Sequence, residues 1–114
     1  MGKILQIRVS AWTYREEDVA ITWPNLTELT WPTPPYHGEK RGVLELVDSL
    51  ENQLSFGDWP TTIKNTLHQG IQNLVQTKKK LELALADWKP KEANDLSNIL
   101  EDQLTELNQK VLLP

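Results

Sequence analysis

Two histidines, His37 and His68, are the only imidazoles in the chain of 114 residues, and there is no cysteine. General-base or metal chemistry would have to start from one of them or from a carboxylate. His37 stands in a Pro/Gly-rich loop beside Glu39, Lys40 and Arg41, and His68 has no acidic residue at helical spacing. Without a thiol there is no thiolate nucleophile, no disulfide and no cysteine-based zinc site. Glu16, Glu17 and Asp18 have the ligand type for a hard cation, but three consecutive carboxylates diverge on a strand or a helix, and the loop spacing of a calcium site is missing. No serine or threonine occupies a nucleophile-elbow motif, and the five glycines are scattered, so they form no phosphate-cradling loop. Neither an enzyme, a cofactor nor a metal centre is expected.

Binding chemistry has more to draw on. Trp12, Tyr14, Trp23, Trp31 and Tyr36 fall within the first 36 residues, and aromatic faces beside a sheet can stack on a sugar, a base or a proline-rich segment, or fill a core. A core or an interface is the preferred reading. Trp12 falls on the opposite face from Leu5, Ile7 and Val9, which makes it the ring most available to a partner. Trp23, Trp31 and Tyr36, near the Pro-rich loop, are the candidate lining of an aromatic pocket for a small molecule or peptide. Lys78 is the other residue of interest, because it stands where an apolar residue belongs. Its stem can cover apolar surface while the amine reaches water or a carboxylate such as Glu101 or Asp102.

The elements that would position these residues follow from periodicity. Ile63, Leu67, Ile71, Leu74, Lys78, Leu81, Leu85 and Trp88 recur at intervals of three and four, a helical stripe within Trp59–Trp88 that would be about 40 Å long. Asp58-Trp59-Pro60 opens it with an acidic residue and a proline in the first turn. Asp87-Trp88-Lys89-Pro90 ends it and starts a further helix carrying Leu96, Ile99, Leu100, Leu104, Leu107 and Val111 to near Leu112. A shorter helix, about Gly42 to Ser55, precedes both, and short connections make neighbours antiparallel. Gly70 interrupts the long helix, where glycine costs about 1 kcal/mol relative to alanine unless it permits close approach or a bend.

Before residue 42 the pattern changes. From Lys3 to Tyr14 apolar and polar residues alternate, which reads as a half-buried strand. Arg15 to Trp31 admits two readings. A helix is favoured by the capping-box spacing of Thr13 to Glu16 and by the acidic run at its start. A meander is favoured by the poor helix formers Val19, Ile21, Thr22 and Trp23 and by Pro24, and it is the reading preferred. Pro32, Pro34 and Pro35 then make 32–41 a linker.

The expectation is a single α+β domain, mostly helical: a β-rich segment over 1–31, the Pro/Gly-rich linker 32–41, and three antiparallel helices over 42–114. Net charge is -4, so nucleic-acid binding has no excess of positive charge behind it. No apolar run approaches a membrane span and the opening residues lack a signal-peptide core, which points to the cytoplasm. The functional expectation is a small structural or protein-interaction protein that forms a homo-oligomer through its helices or its N-terminal strand. The alternative is a module holding a small ligand or peptide in the aromatic pocket.

Overall fold

The computed structural model describes Ala11 and residues 13–112. Among these the regular elements are helices: α1 Glu17–Thr22, α2 Pro24–Thr30, α3 Val43–Phe56, α4 Thr61–Ala86 and α5 Pro90–Leu112. Helices α3, α4 and α5 are the three that periodicity identifies, with ends within two residues of the expected ones. The α+β class is overturned by the segment before them. Arg15–Trp31 is not a meander but two short helices, and no strand occurs among the described residues. The strand read over Lys3–Tyr14 falls almost wholly outside the described residues, and Thr13 and Tyr14, which lie within them, are not in a strand.

The physical reason for the correction is a buried face at helical spacing. Val19, Trp23, Leu26 and Thr30 are separated by four, three and four positions, and all four are buried. Ile21, which the strand reading puts on the same face as Val19 and Trp23, is 74% exposed. Pro24 does not prevent helix here. It ends α1 and takes the first position of α2, where its missing N–H would have had no intrahelical partner. Glu17 and Asp18 occupy the first turn of α1, the positive end of its dipole.

Helices α4 and α5 form an antiparallel hairpin, α3 packs on α4, and α2 is wedged between α3 and α5 with α1 against it. Leu26 of α2, Leu46 and Leu50 of α3, Ile71 and Leu74 of α4, and Leu100 and Leu104 of α5 are fully buried in one cluster. At about 1.5 Å per residue α4 is about 39 Å long, the main contributor to a molecule measuring 53 × 31 × 25 Å.

Helix starts are completed by side chains from elsewhere in the chain. Asn108 Oδ1 of α5 accepts the N–H groups of Asn25 (3.0 Å) and Leu26 (3.1 Å), two donors of the first turn of α2. Thr13 Oγ1 accepts the N–H of Val43 at 2.7 Å and so caps α3, whose own N-cap residue is Gly42. At the other end of α2, the Gln53 amide donates to Thr30 O and the Trp59 indole N–H to Leu29 O, both at 3.4 Å.

Gly70 serves close helix approach. A Cβ on residue 70 would lie 2.5 Å from Leu107 Cδ1, and Leu107 is itself buried. Seven residues along, the hydroxyl of Thr77 lies 2.8 Å from Gln103 Oε1 across the same seam and 3.0 Å from Asn73 O. Gly70→Ala should therefore gain helix propensity and lose packing, with a net change in stability below about 1 kcal/mol. In a Leu107→Ala background the clash is gone, and adding Gly70→Ala should stabilise by about 1 kcal/mol. Urea denaturation of the four members of this cycle measures the coupling; additive effects would show that Gly70 and Leu107 do not compete for space.

Candidate functional site

The residues singled out by type are dispersed. Trp12 lies outside the described residues. Trp23 is only 3% exposed and its indole N–H donates to Thr105 Oγ1 of α5 at 3.0 Å, so its ring is part of the core. Trp31 is half-buried at the end of α2, and its indole N–H donates to Ser49 Oγ of α3 at 3.1 Å. Tyr36, in the loop after α2, is 73% exposed. Trp23 faces α5, Trp31 faces α3 and Tyr36 faces solvent, so the three rings do not converge.

Neither imidazole is paired with a carboxylate among the described residues. His37 is exposed in its loop, and exposed His68 meets the Gln72 amide, a helical turn away, at 3.2 Å. No group of three or more His, Asp or Glu suited to a metal ion occurs among the described residues. No described helix is long and apolar enough to cross a membrane.

Lys78 finds partners, though not on α5. Its amine lies 3.1 Å from Asp48 Oδ1 of α3 and 2.7 Å from Glu82 Oε1, one turn along α4. The stripe places Lys78 on the side of α4 that meets α3, which is why Glu101 and Asp102 are out of the pair. Burial pulls the ammonium's pKa down, but the hydrogen bonds and charges of Glu82 and Asp48 outweigh it and hold the group above the ordinary lysine value.

Two further surface features bear on function, neither marked by a motif. One is the cleft between α1, α2 and the loop 32–41, about 380 Å³, whose lining includes Glu16, Glu17, Glu28, Trp31, Glu39 and Arg41. Arg41 organises it. Its guanidinium carbon stands 5.2 Å from the centre of the Trp31 ring, and its Nη1 donates to Thr33 O at 2.8 Å. Its Nε lies 3.1 Å from Glu39 Oε2, and its backbone N–H donates to Glu16 Oε1 at 2.7 Å. The adjacent Arg41 guanidinium holds the Glu39 carboxyl below its usual pKa, against a smaller opposing effect of burial and with help from the Tyr36 N–H. Glu17 is lowered too, by its own backbone N–H first and then by Arg15.

The second feature is the tip of the α4–α5 hairpin. Trp88 has φ +58°, the only described residue other than glycine in the left-handed region. Its N–H donates to Leu85 O (3.2 Å) and that of Lys89 to Ala84 O (2.9 Å), the paired bonds of a Schellman motif, with tryptophan where glycine is usual. Trp88 and Leu83 are each 64% exposed. The sequence places Trp88 between two helices, but its backbone angle has no signature in residue type.

No known protein family, curated protein or solved structure matches this chain.

The Lys78 cluster generates a test of stability. Asp48 and Glu82 are each more than half exposed, so solvent screens them, and Lys78→Ala should cost about 1 kcal/mol through lost pairing and lost stem packing. Lys78→Met keeps the stem and should cost less. Because the folded pKa is raised, the charge contribution is complete below the unfolded lysine value of about 10.4 and disappears as pH climbs through the higher folded value. Thermal melts from neutral to alkaline pH should show this loss in the wild type and a smaller one in Lys78→Met; parallel curves would contradict the assignment.

Proposed function

We propose that this chain is a helical protein-interaction protein that associates with itself through the tip of the α4–α5 hairpin. The observation that carries the reading is Trp88. A left-handed backbone at a bulky L-residue is unfavourable by about 1–2 kcal/mol relative to the right-handed region, whereas glycine adopts it freely. The ring held by this strained backbone is 64% exposed, so it recovers little by packing inside its own chain. Burying a side chain of this size against a partner returns about 1.5–3 kcal/mol, enough to offset the strain. Leu83, on the last turns of α4, adds a second exposed apolar side chain near the same end. A two-fold contact between two tips would bury Trp88 of both chains and close the assembly at a dimer.

An exposed tryptophan suits a contact surface, since the residues that dominate binding energy at interfaces are enriched in tryptophan.

Sedimentation equilibrium on the wild type and on two tip variants tests the proposal. Trp88→Gly removes both ring and strain, so the monomer should become more stable by about 1 kcal/mol while self-association is lost. Trp88→Ala removes the ring and keeps the strain, so it should lose association without that gain. A wild type that remains monomeric into the millimolar range, or a Trp88→Gly protein that sediments like the wild type, would refute the reading.

A further inference from the structure

We infer that the cleft between α1, α2 and the loop 32–41 is a docking site for an arginine side chain presented by a segment of a partner protein. The inference is independent of self-association at the hairpin tip. Three features of the cleft select this occupant.

The first is charge. Glu16, Glu17, Glu28 and Glu39 line the cleft, and Arg41 is the one cation among the described residues of its wall. Arg41 is engaged by Glu39, and Glu17 pairs with Arg15 at 3.1 Å in an exposed contact. Glu16 receives a backbone N–H but no cationic side chain, and Glu28 has no ion-pair partner among the described residues. The excess is negative and calls for a cation.

The second is the chemistry already built into the wall. The chain seats its own guanidinium beside the Trp31 ring with a carboxylate at ion-pair distance. Planar guanidinium groups pair with carboxylates more effectively than a compact ammonium does, and the carboxylates of Glu16 and Glu28, which Arg41's guanidinium does not engage, are the ones left for a second guanidinium.

The third is shape and polarity. The cleft's 380 Å³ lies within the range of ligand pockets, about 300–1,000 Å³. Val19, Ala20 and Pro35 contribute apolar lining, which would cover the methylenes of an arginine stem while the carboxylates meet its head. A free inorganic cation would leave that lining unused.

The test follows the Trp31 indole N–H signal by NMR while the full chain is titrated with a capped peptide of alternating glycine and arginine. Lysine and glutamate versions of the peptide and spermidine serve as comparisons. The arginine peptide should shift the signal saturably and bind more tightly than the lysine peptide or spermidine; the glutamate peptide should do nothing. Raising salt from about 20 to about 200 mM should weaken binding. Glu17→Gln and Glu28→Gln, both at exposed positions, should each weaken it about twofold to fivefold, and together about tenfold. Trp88→Gly should bind as the wild type does, which separates this site from the tip. No shift of Trp31 with the arginine peptide, equal binding by lysine peptide or spermidine, or an unchanged affinity in the Glu17→Gln/Glu28→Gln protein would overturn the inference.

Discussion

The fold depends on how one seven-residue helix is completed by the rest of the chain. Two turns of helix do not persist alone in water, because nucleation fixes several residues for one hydrogen bond, and α2 begins at Pro24 with a tryptophan, not a capping residue, before it. Asn108 supplies the acceptor that its first turn lacks, and Gln53 and Trp59 supply donors to its last carbonyls. The side chains that complete α2 thus come from α5, from α3 and from the turn between α3 and α4. Trp23 and Leu26 are buried among those same helices, so polar satisfaction and apolar burial fall on one set of contacts.

Around α2 the remaining helices divide the work differently. The α4–α5 seam is close and mostly apolar, admitting Leu107 over Gly70 and one polar contact at Thr77. The α3–α4 seam ends in charge, with Lys78 bridging two carboxylates near the surface. A cation in an apolar stripe is tolerable there because only its stem is covered and its head finds partners. On α5 the same lysine would have met the tighter seam.

What could be read from residue order depended on how local the cause was. Helices α3, α4 and α5 carry their own periodicity, and Pro60 and Pro90 mark their own starts. Arg15–Trp31 carried two patterns at once: alternation through Val19, Ile21 and Trp23, and a four-three-four spacing through Val19, Trp23, Leu26 and Thr30. The choice between them rests on which face the other helices bury and, for α2, on the cap Asn108 supplies from more than eighty residues away, neither of which local propensity shows. The partner of Lys78 was missed for a related reason, since the stripe tells which residues are buried but not which neighbour buries them. At the surface, the aromatic grouping by sequence proximity did not survive folding. Trp23 and Trp31 stand at opposite ends of a short helix and meet different neighbours, and the cleft at Trp31 is assembled instead by Arg41, a residue whose type alone carried no such signal. Trp88 was visible as a boundary, while its conformation became visible only through the carbonyls it satisfies.

The bond between Asn108 and the start of α2 also bears on the order in which the chain can acquire structure. Synthesis proceeds from the N-terminus, and a domain generally folds as a unit once its segments have emerged. Here Pro24–Thr30 is made well before its capping acceptor, which stands 83 residues after Asn25. The α4–α5 hairpin, whose contacts are close in sequence, has no such wait, so local pairing can precede the long-range closure. On the ribosome α1 and α2 would therefore remain uncommitted, with Trp23 and Leu26 uncovered, until α5 has been released. Helices α1 and α2 are secured after the hairpin that follows them in the chain.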